Sequence, residues 1–197
     1  SVTVIAGSTV CLDSEDDLHL ATVSSKNRGT VRIRSSKSIV NAGGATEINI
    51  RGGDIILEAA GGHLGEENAM LTLQQGSGKY LDARSAYDIC LRGASGSYGG
   101  YNYTGALGLG FIYTPGNLRL FSDSAVYDAR NNGKENAAAA SLLIEAADIG
   151  ESGNYLETDL SEPAMGQGGN LIVLTDSGHI YLYEVYGNMY IDKVKAE

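Results

Sequence analysis

The chain has 197 residues, with 27 glycines, 12 tyrosines and two prolines, and it carries a formal net charge of −10. Scarce proline and the lack of a three-residue glycine period exclude collagen, and no apolar run reaches the roughly 18 residues of a membrane span. The basic stretch of residues 26–51 lacks interleaved aromatics, and residues 135–192 contain no Lys or Arg. We therefore expect neither a nucleic-acid partner nor membrane insertion.

A short phrase recurs along the chain, in which two aliphatic residues flank one position and a Gly- or Asp-marked turn follows. Alternate side chains of a strand point to opposite faces, so each phrase predicts a short strand that buries two residues. Strands this short need stacked neighbours to complete a core. The residues assigned to that core are Val31, Ile33, Ile48, Ile50, Ile55, Leu57, Leu71, Leu73, Ile172, Leu174, Ile180 and Leu182.

Residues 1–64 contain no Tyr, Phe or Trp, although aromatic rings usually supply much of the buried area of a core. Thin strands from three chains that meet at an axis can still pack, because only small and aliphatic side chains fit there. Strand edges that lack a partner also aggregate unless another chain closes them. We therefore expect residues 1–64 to form an intertwined stem of a homotrimer. Because the chain begins with Ser1, we also expect it to be a fragment or a processed product.

Residues 65–170 are expected to form a wider β region with long loops, since tyrosine first appears there. Gly93–Gly110 is rich in Gly, Tyr and Ser and is expected to be an exposed loop. Tyrosine offers an apolar face to a sugar ring and a hydroxyl to its polar edge. The candidate glycan-binding residues are Tyr98, Tyr101, Asn102, Tyr103 and Tyr113. The alternative interpretation is that these tyrosines cover the sides of the trimer itself.

The composition of residues 135–149 allows a helix, but the run from Leu142 to Ala147 repeats the pattern of Ile55–Ala60, which favours a strand. Residues 150–170 are expected to form a long acidic loop, and residues 171–197 a second regular β section. The intervals between phrases are uneven in the middle of the chain. This unevenness favours a shaft interrupted by excursions over a single-chain β-helix.

The residues that could carry chemistry form no recognisable site. His19, His63 and His179 lack ligand spacing, so we expect no metal, no cofactor and no catalytic residues. Carboxylates are plentiful, however, and a pair of them about 5–9 Å apart can hydrolyse glycosidic bonds. A polysaccharide depolymerase, acting as a glycoside hydrolase or lyase through Asp and Glu residues, is therefore an alternative function.

Two segments resemble the fibres and spikes of bacteriophage tails: Glu47–Ala59, and the run from Gly169 to Tyr183, both built from strand, Gly-Asp turn and strand. The resemblance implies an all-β fold, an elongated parallel homotrimer with a triple-stranded β-helix or β-prism stem. It also implies location in the virion, with two identical chains, adjoining fibre or baseplate proteins, and a host glycan or outer-membrane receptor as partners. A single-chain β-helix bacterial adhesin is the remaining alternative.

Overall fold

The computed structural model describes residues 1–44, 46–160 and 169–196, and within these ranges the chain is all-β with no helix. The strands are β1 Val2–Ala6, β2 Val10–Ser14, β3 Leu18–Ser25, β4 Val31–Ser35, β5 Ile39–Asn41, β6 Ile50–Gly52, β7 Ile55–Ala59, β8 Leu71–Gln75, β9 Leu81–Ser85, β10 Ile89–Gly93, β11 Ser95–Tyr98, β12 Tyr101–Thr104, β13 Leu107–Tyr113, β14 Asn117–Ser122, β15 Ala125–Asp128, β16 Ala137–Ala138, β17 Ser141–Glu145, β18 Asp148–Ile149, β19 Leu156–Asp159, β20 Asn170–Thr175, β21 Leu182–Glu184 and β22 Tyr190–Ala196.

These strands form a parallel β-solenoid of about seven turns, in which the chain passes alternately through two sheets. Sheet A has the order β1-β3-β6-β8-β10-β14-β17-β20-β22, with β5 beside β3. Sheet B has the order β2-β4-β7-β9-β13-β16-β19-β21, with β15 and β18 paired to each other and β15 to β13. The two sheets therefore face each other across a core that runs along the coil.

The core consists of columns of aliphatic side chains stacked in register. In sheet B, Val31 aligns with Ile55 and Ile55 aligns with Leu81, and all three are fully buried. Burying each such side chain stabilises the fold by roughly 1.5–3 kcal/mol. One cluster of buried residues extends from Val10 to Val173. The coil therefore closes most of its core with its own chain.

This closure differs from the intertwined stem expected for residues 1–64, since the strands there pair in parallel as successive turns of one coil. Aromatic rings are not needed, because Val, Ile and Leu from the two sheets fill the narrow interior. The predicted core residues that the single chain buries fully are Val31, Ile33, Ile50, Ile55, Leu57, Leu71 and Leu73. Association of three copies stays a prediction, as does the division of the chain at residues 64 and 170.

The remaining predicted core residues lie at the margin of the coil. Ile48 is half-buried, and Ile180 and Leu182 pack partly buried against the core. Ile172 and Leu174 lie instead on the outer face of sheet A, because their neighbours take the inward positions of β20. Two apolar side chains in that part of sheet A are thus left for contact with another surface.

The uneven spacing of the phrases does not exclude a single-chain coil. Aligned positions are 24 residues apart between Val31 and Ile55 and 26 apart between Ile55 and Leu81. Intervals counted from phrase to phrase mix two sheets with corner loops of different lengths, so they hide this repeat. Turns with more residues have longer corner loops, and their strands stay in register with those of the neighbouring turns.

Residues 135–149 form β16, β17 and β18, which confirms the strand interpretation. The expected loop at 93–110 is instead the β11–β12 hairpin followed by the start of β13, where Leu107 and Leu109 are buried. The expected acidic loop at 150–170 contains β19, and its residues 161–168 lie outside the described part of the chain. In the described residues we find no helix long and apolar enough to cross a membrane.

Candidate functional site

Four of the five predicted glycan-binding residues lie on the β11–β12 hairpin, which is antiparallel and pairs Tyr98 with Tyr101. Asn102 is exposed, whereas Tyr103 keeps only 4% of its surface exposed. The hairpin folds back over earlier turns of the coil, where Arg28 Nη2 donates a hydrogen bond of 2.5 Å to the carbonyl oxygen of Asn102. The hairpin is therefore tied to the coil through Tyr103 and Asn102, while most of residues 95–104 are exposed, as expected.

Two arginines of earlier turns occupy the faces of the hairpin tyrosines. The guanidinium of Arg28 lies 4.5 Å from the ring centroid of Tyr101 and 4.9 Å from that of Tyr103. The guanidinium of Arg51 lies 4.7 Å from the ring centroid of Tyr98. Each cation–π contact occupies one face of its ring, which is then closed to a sugar. The structure thus favours a clasp that ties distant turns together over a sugar site on this hairpin.

Tyr113 lies apart from the other four residues, on β13, where its ring stacks with that of Phe111 at a centroid distance of 6.5 Å. Both rings are half-buried on the outer face of sheet B. Sequence proximity had grouped Tyr113 with the hairpin, but β12 and β13 belong to different sheets. The aromatic pair of β13 therefore belongs to a different surface.

That surface is a groove of about 330 Å³ on the outer face of sheet B. The parallel register aligns Asp82 with both Ile56 and Phe111, and Arg84 with both Glu58 and Tyr113. The groove is lined by Ile56, Glu58, Asp82, Arg84, Phe111 and Arg130. Three successive turns of the coil thus place apolar, aromatic and charged side chains side by side.

The charged groups of the groove are held in fixed positions by one another. Arg130 Nη2 donates to Asp82 Oδ1 at 2.9 Å and to Oδ2 at 2.7 Å, and the Phe111 N–H donates to Oδ1 at 2.8 Å. The guanidinium of Arg84 lies 5.6 Å from the Phe111 centroid, and that of Arg130 lies 4.6 Å from Tyr80. Every oxygen of Asp82 therefore already has a donor.

A second groove, of about 400 Å³, lies on the outer face of sheet A and is more acidic. It is lined by Arg92, Phe121, Asp123, Glu145, Asp176 and Ser177. Arg92 Nη2 donates to Asp123 Oδ1 at 2.9 Å, and the Ser95 N–H donates to Asp123 Oδ2 at 3.0 Å. Its single ring, Phe121, makes it a weaker candidate for stacking against a sugar.

A third groove contains the one cysteine that is buried in the described residues, Cys90, together with His63, Asp88 and Arg119. Burial raises the pKa of the Cys90 thiol to about 11. A thiol with a raised pKa is a poor nucleophile at neutral pH, because the thiolate is the reactive form. The ring of His63 stacks on Tyr87 at 5.2 Å. This groove therefore offers no activated cysteine.

Three buried polar side chains near β15 and β19 were missed by sequence reasoning: Asp128, Asn136 and Glu157 are 2%, 1% and 9% exposed. Asn136 Nδ2 donates to Asp128 Oδ1 at 2.8 Å, and the Glu157 N–H donates to Asn136 Oδ1 at 3.0 Å. Burial raises the pKa of Glu157, and the charge of Asp128 raises it further. Alternation could not reveal this cluster, because both faces of β19 are buried.

The described part of the chain contains no group of three or more His, Cys, Asp or Glu side chains placed to hold a metal ion. No family model, no curated protein and no solved structure matches the sequence or the fold of this chain. The likeness to phage fibres therefore rests on the strand-turn-strand pattern alone. The function has to be inferred from the surfaces of the coil.

Proposed function

We propose that this chain is a structural and adhesive segment of a phage tail fibre or spike, a stiff coil that carries a glycan-binding face. The groove on the outer face of sheet B is the observation that supports the proposal most strongly. Adjacent strands of a sheet lie about 4.8 Å apart, so its side chains form rows that an extended polymer can follow. Phe111 offers ring surface in the groove, Tyr113 stacks beside it, and Arg84, Glu58 and Arg130 offer donors and acceptors to sugar hydroxyls.

The same groove favours binding over cleavage. Glycoside hydrolysis requires one carboxyl group that carries a proton and a second that acts as base or nucleophile. Both oxygens of Asp82 accept hydrogen bonds from Arg130, so neither oxygen is left free to face a glycosidic bond. Glu58 lies 3.6 Å from the guanidinium of Arg34 and is similarly paired. A depolymerase would need a better-placed acid than these two groups provide.

The proposed assembly is a homotrimer of three coils that dock side by side, together with adjoining fibre or baseplate proteins in the virion. Half-buried Ile172 and Leu174 on the outer face of sheet A, with exposed Ile191 and Val194 in the last turn, supply apolar surface for such docking. The closed core of the single coil also favours a second candidate, a single-chain β-helix adhesin. A chain that stays monomeric at every concentration would support the adhesin.

The glycan proposal is tested with an array of bacterial capsular polysaccharides and lipopolysaccharides, followed by titration of every binder. We expect the wild-type chain to bind at least one polysaccharide. Phe111→Ala removes the aromatic ring that lines the groove and is expected to weaken that binding at least about tenfold, as truncation of an aromatic anchor does.

Phe121→Ala is the matched control, since it removes the same ring from the outer face of sheet A. It should leave the affinity within about twofold of wild type, a difference well below that of a central contact. Loss of binding in Phe121→Ala but not in Phe111→Ala would contradict the assignment to sheet B. Release of oligosaccharides by the wild-type chain would instead support a depolymerase, and no binding across the array would contradict the adhesive role.

A further inference from the structure

Three buried side-chain oxygens near β15 and β19 have no hydrogen-bond donor in the part of the chain that the structure describes: Asp128 Oδ2, Asn154 Oδ1 and Glu157 Oε2. Asp128 and Glu157 are more than nine-tenths buried, at 2% and 9% exposure. A polar group that loses water without gaining a partner costs on the order of 1–3 kcal/mol, and more when it is charged. Three buried acceptors without donors, on residues that share one hydrogen-bond network, indicate that a cation binds there.

Hydrogen bonds fix which oxygen of each residue is left free. Asp128 Oδ1 accepts from the Arg130 N–H and from Asn136 Nδ2, both at 2.8 Å, so Oδ2 is the free oxygen. Asn154 Nδ2 donates to the backbone carbonyl of Asp128 at 2.9 Å, which identifies the other atom of its amide as oxygen. The Glu157 N–H is bound to Asn136 Oδ1 at 3.0 Å. One short network therefore holds the residues that carry all three free oxygens.

The neighbourhood is also electrically unbalanced. Asp128 and Glu157 are close enough for the charge of one to raise the pKa of the other. Neither takes part in a salt bridge among the described residues, and the guanidinium of Arg130, whose backbone N–H donates to Asp128, is itself bound to Asp82. Two buried carboxylates without a cation repel each other and are costly to desolvate.

We propose that Asp128, Asn154 and Glu157 bind a hard divalent cation, with calcium as the best match. All three donors are oxygens, two from carboxylates and one from a carboxamide, which is a typical calcium ligand set. Zinc prefers nitrogen and sulfur donors, and magnesium requires a near-octahedral shell that retains several waters. Calcium accepts oxygen ligands in variable number and geometry, which suits side chains whose positions are set by the coil.

The bound cation would join two consecutive turns of the coil. Asp128 ends β15, whereas Asn154 lies in the turn before β19 and Glu157 lies on β19. These segments belong to neighbouring turns that β15 and β18 link by parallel pairing. Its expected effect is therefore on stability and is separate from glycan binding at the sheet B groove.

The test is calorimetric titration of the chelator-treated chain with CaCl₂ and, in parallel, with MgCl₂. We expect one calcium per chain and weaker binding of magnesium. Saturating calcium should raise Tm by about 5–11 °C over the value in EDTA, as ligand linkage predicts for about 100-fold excess over Kd. Tyrosine-sensitised terbium luminescence, displaced by calcium, gives an independent readout, because Tyr155 adjoins Asn154.

Asp128→Asn and Glu157→Gln should each weaken calcium binding at least about tenfold. In EDTA the same variants should melt at or above the wild-type temperature, because each removes the repulsion between two buried carboxylates. In calcium the wild type should have the higher melting temperature. A variant that simply folds poorly would melt below wild type in both conditions, so this reversal identifies a cation site.

Glu184→Gln is the matched control, because its carboxylate also lies in sheet B but both of its oxygens accept hydrogen bonds, from Thr158 and from the Leu160 N–H. It should retain calcium affinity within about twofold, a much smaller change than loss of a ligand causes. The proposal is overturned if wild type binds no calcium, or if Glu184→Gln and Asp128→Asn weaken binding equally.

Discussion

A single carboxylate, Asp123, ties the β11–β12 hairpin to sheet A. It accepts one hydrogen bond from the Arg92 guanidinium and another from the backbone N–H of Ser95, at the start of the hairpin. Burial of Asp123 raises its pKa, but the bonds from Ser95 and Arg92 outweigh this effect and the pKa falls below 3.8. The ionised form therefore stabilises the fold.

We predict that Asp123→Asn lowers the free energy of unfolding by about 1 kcal/mol at pH 7, the size of one partly exposed charged contact. Because the folded-state pKa lies below the unfolded value, the contribution is present above pH 3.8 and is lost as pH falls through the folded-state pKa. Urea unfolding of both chains between pH 3 and 7 measures this difference. If the difference in unfolding free energy between wild type and Asp123→Asn grew as the pH falls, the stabilising role of ionised Asp123 would be contradicted.

Residue-level chemistry was the least predictable part of the site. Asp82 and Arg130 are 48 positions apart in the chain and meet only because the coil returns to sheet B. Phe111 was not singled out, since its direction depends on the register of β13 against β9. Glycan binding by the hairpin tyrosines stays a prediction, and their contacts with Arg28 and Arg51 could not be foreseen from the sequence.

Among the elements, the β11–β12 hairpin is a departure from the parallel stacking of the coil. Arg28, which holds it, has a φ of 53°, in the left-handed region that non-glycine residues rarely adopt. This conformation costs about 1–2 kcal/mol, which the contacts with Tyr101, Tyr103 and Asn102 offset. The hairpin therefore depends on a residue some 70 positions earlier in the chain.

We predict that Arg28→Ala loosens the hairpin without unfolding the coil. Amide hydrogen exchange in residues 95–104 should accelerate about tenfold or more, since a charged hydrogen bond and two cation–π contacts are lost. Arg32→Ala makes the same change on the exposed outer face of β4 and should leave the hairpin unchanged. Equal exchange in both variants would show that the clasp does not depend on Arg28.

The sequence predicted the elements better than their arrangement. The phrase of two aliphatic residues that flank one position predicted strands such as β4 and β7 correctly. A two-residue alternation is the pattern of a strand with one buried face. At β20 the sequence did not show which residues face the core. All four residues from Leu171 to Leu174 are aliphatic, so alternation does not distinguish the two faces of the strand. The hairpin was missed because its Gly, Ser and Tyr residues are also typical of loops.

For the whole molecule, the main difference from expectation is that one chain closes its own core. The aliphatic columns that three chains were expected to share are completed by successive turns, with full burial from Leu20 through Leu120. The sequence could not distinguish these arrangements, since both need short one-faced strands separated by glycine turns. The number of residues in each turn of the coil would distinguish a single-chain coil from a trimer. Corner loops of different lengths hide that number in the sequence.

A closed coil would hold the proposed binding face of sheet B in a fixed geometry. Its side chains are carried by hydrogen-bonded strands whose inner faces are packed, so their spacing does not depend on a partner. Docking of three coils would add avidity without rebuilding the site. The architecture of the single chain is therefore the claim on which the functional proposals depend.

The most direct test of that claim combines sedimentation velocity with far-UV circular dichroism on one sample of the 197-residue chain over a dilution series. The closed coil predicts that the β-sheet spectrum is unchanged at dilutions where sedimentation shows single chains. Loss of the β-sheet spectrum as copies separate would contradict it, because the core would then require neighbouring chains.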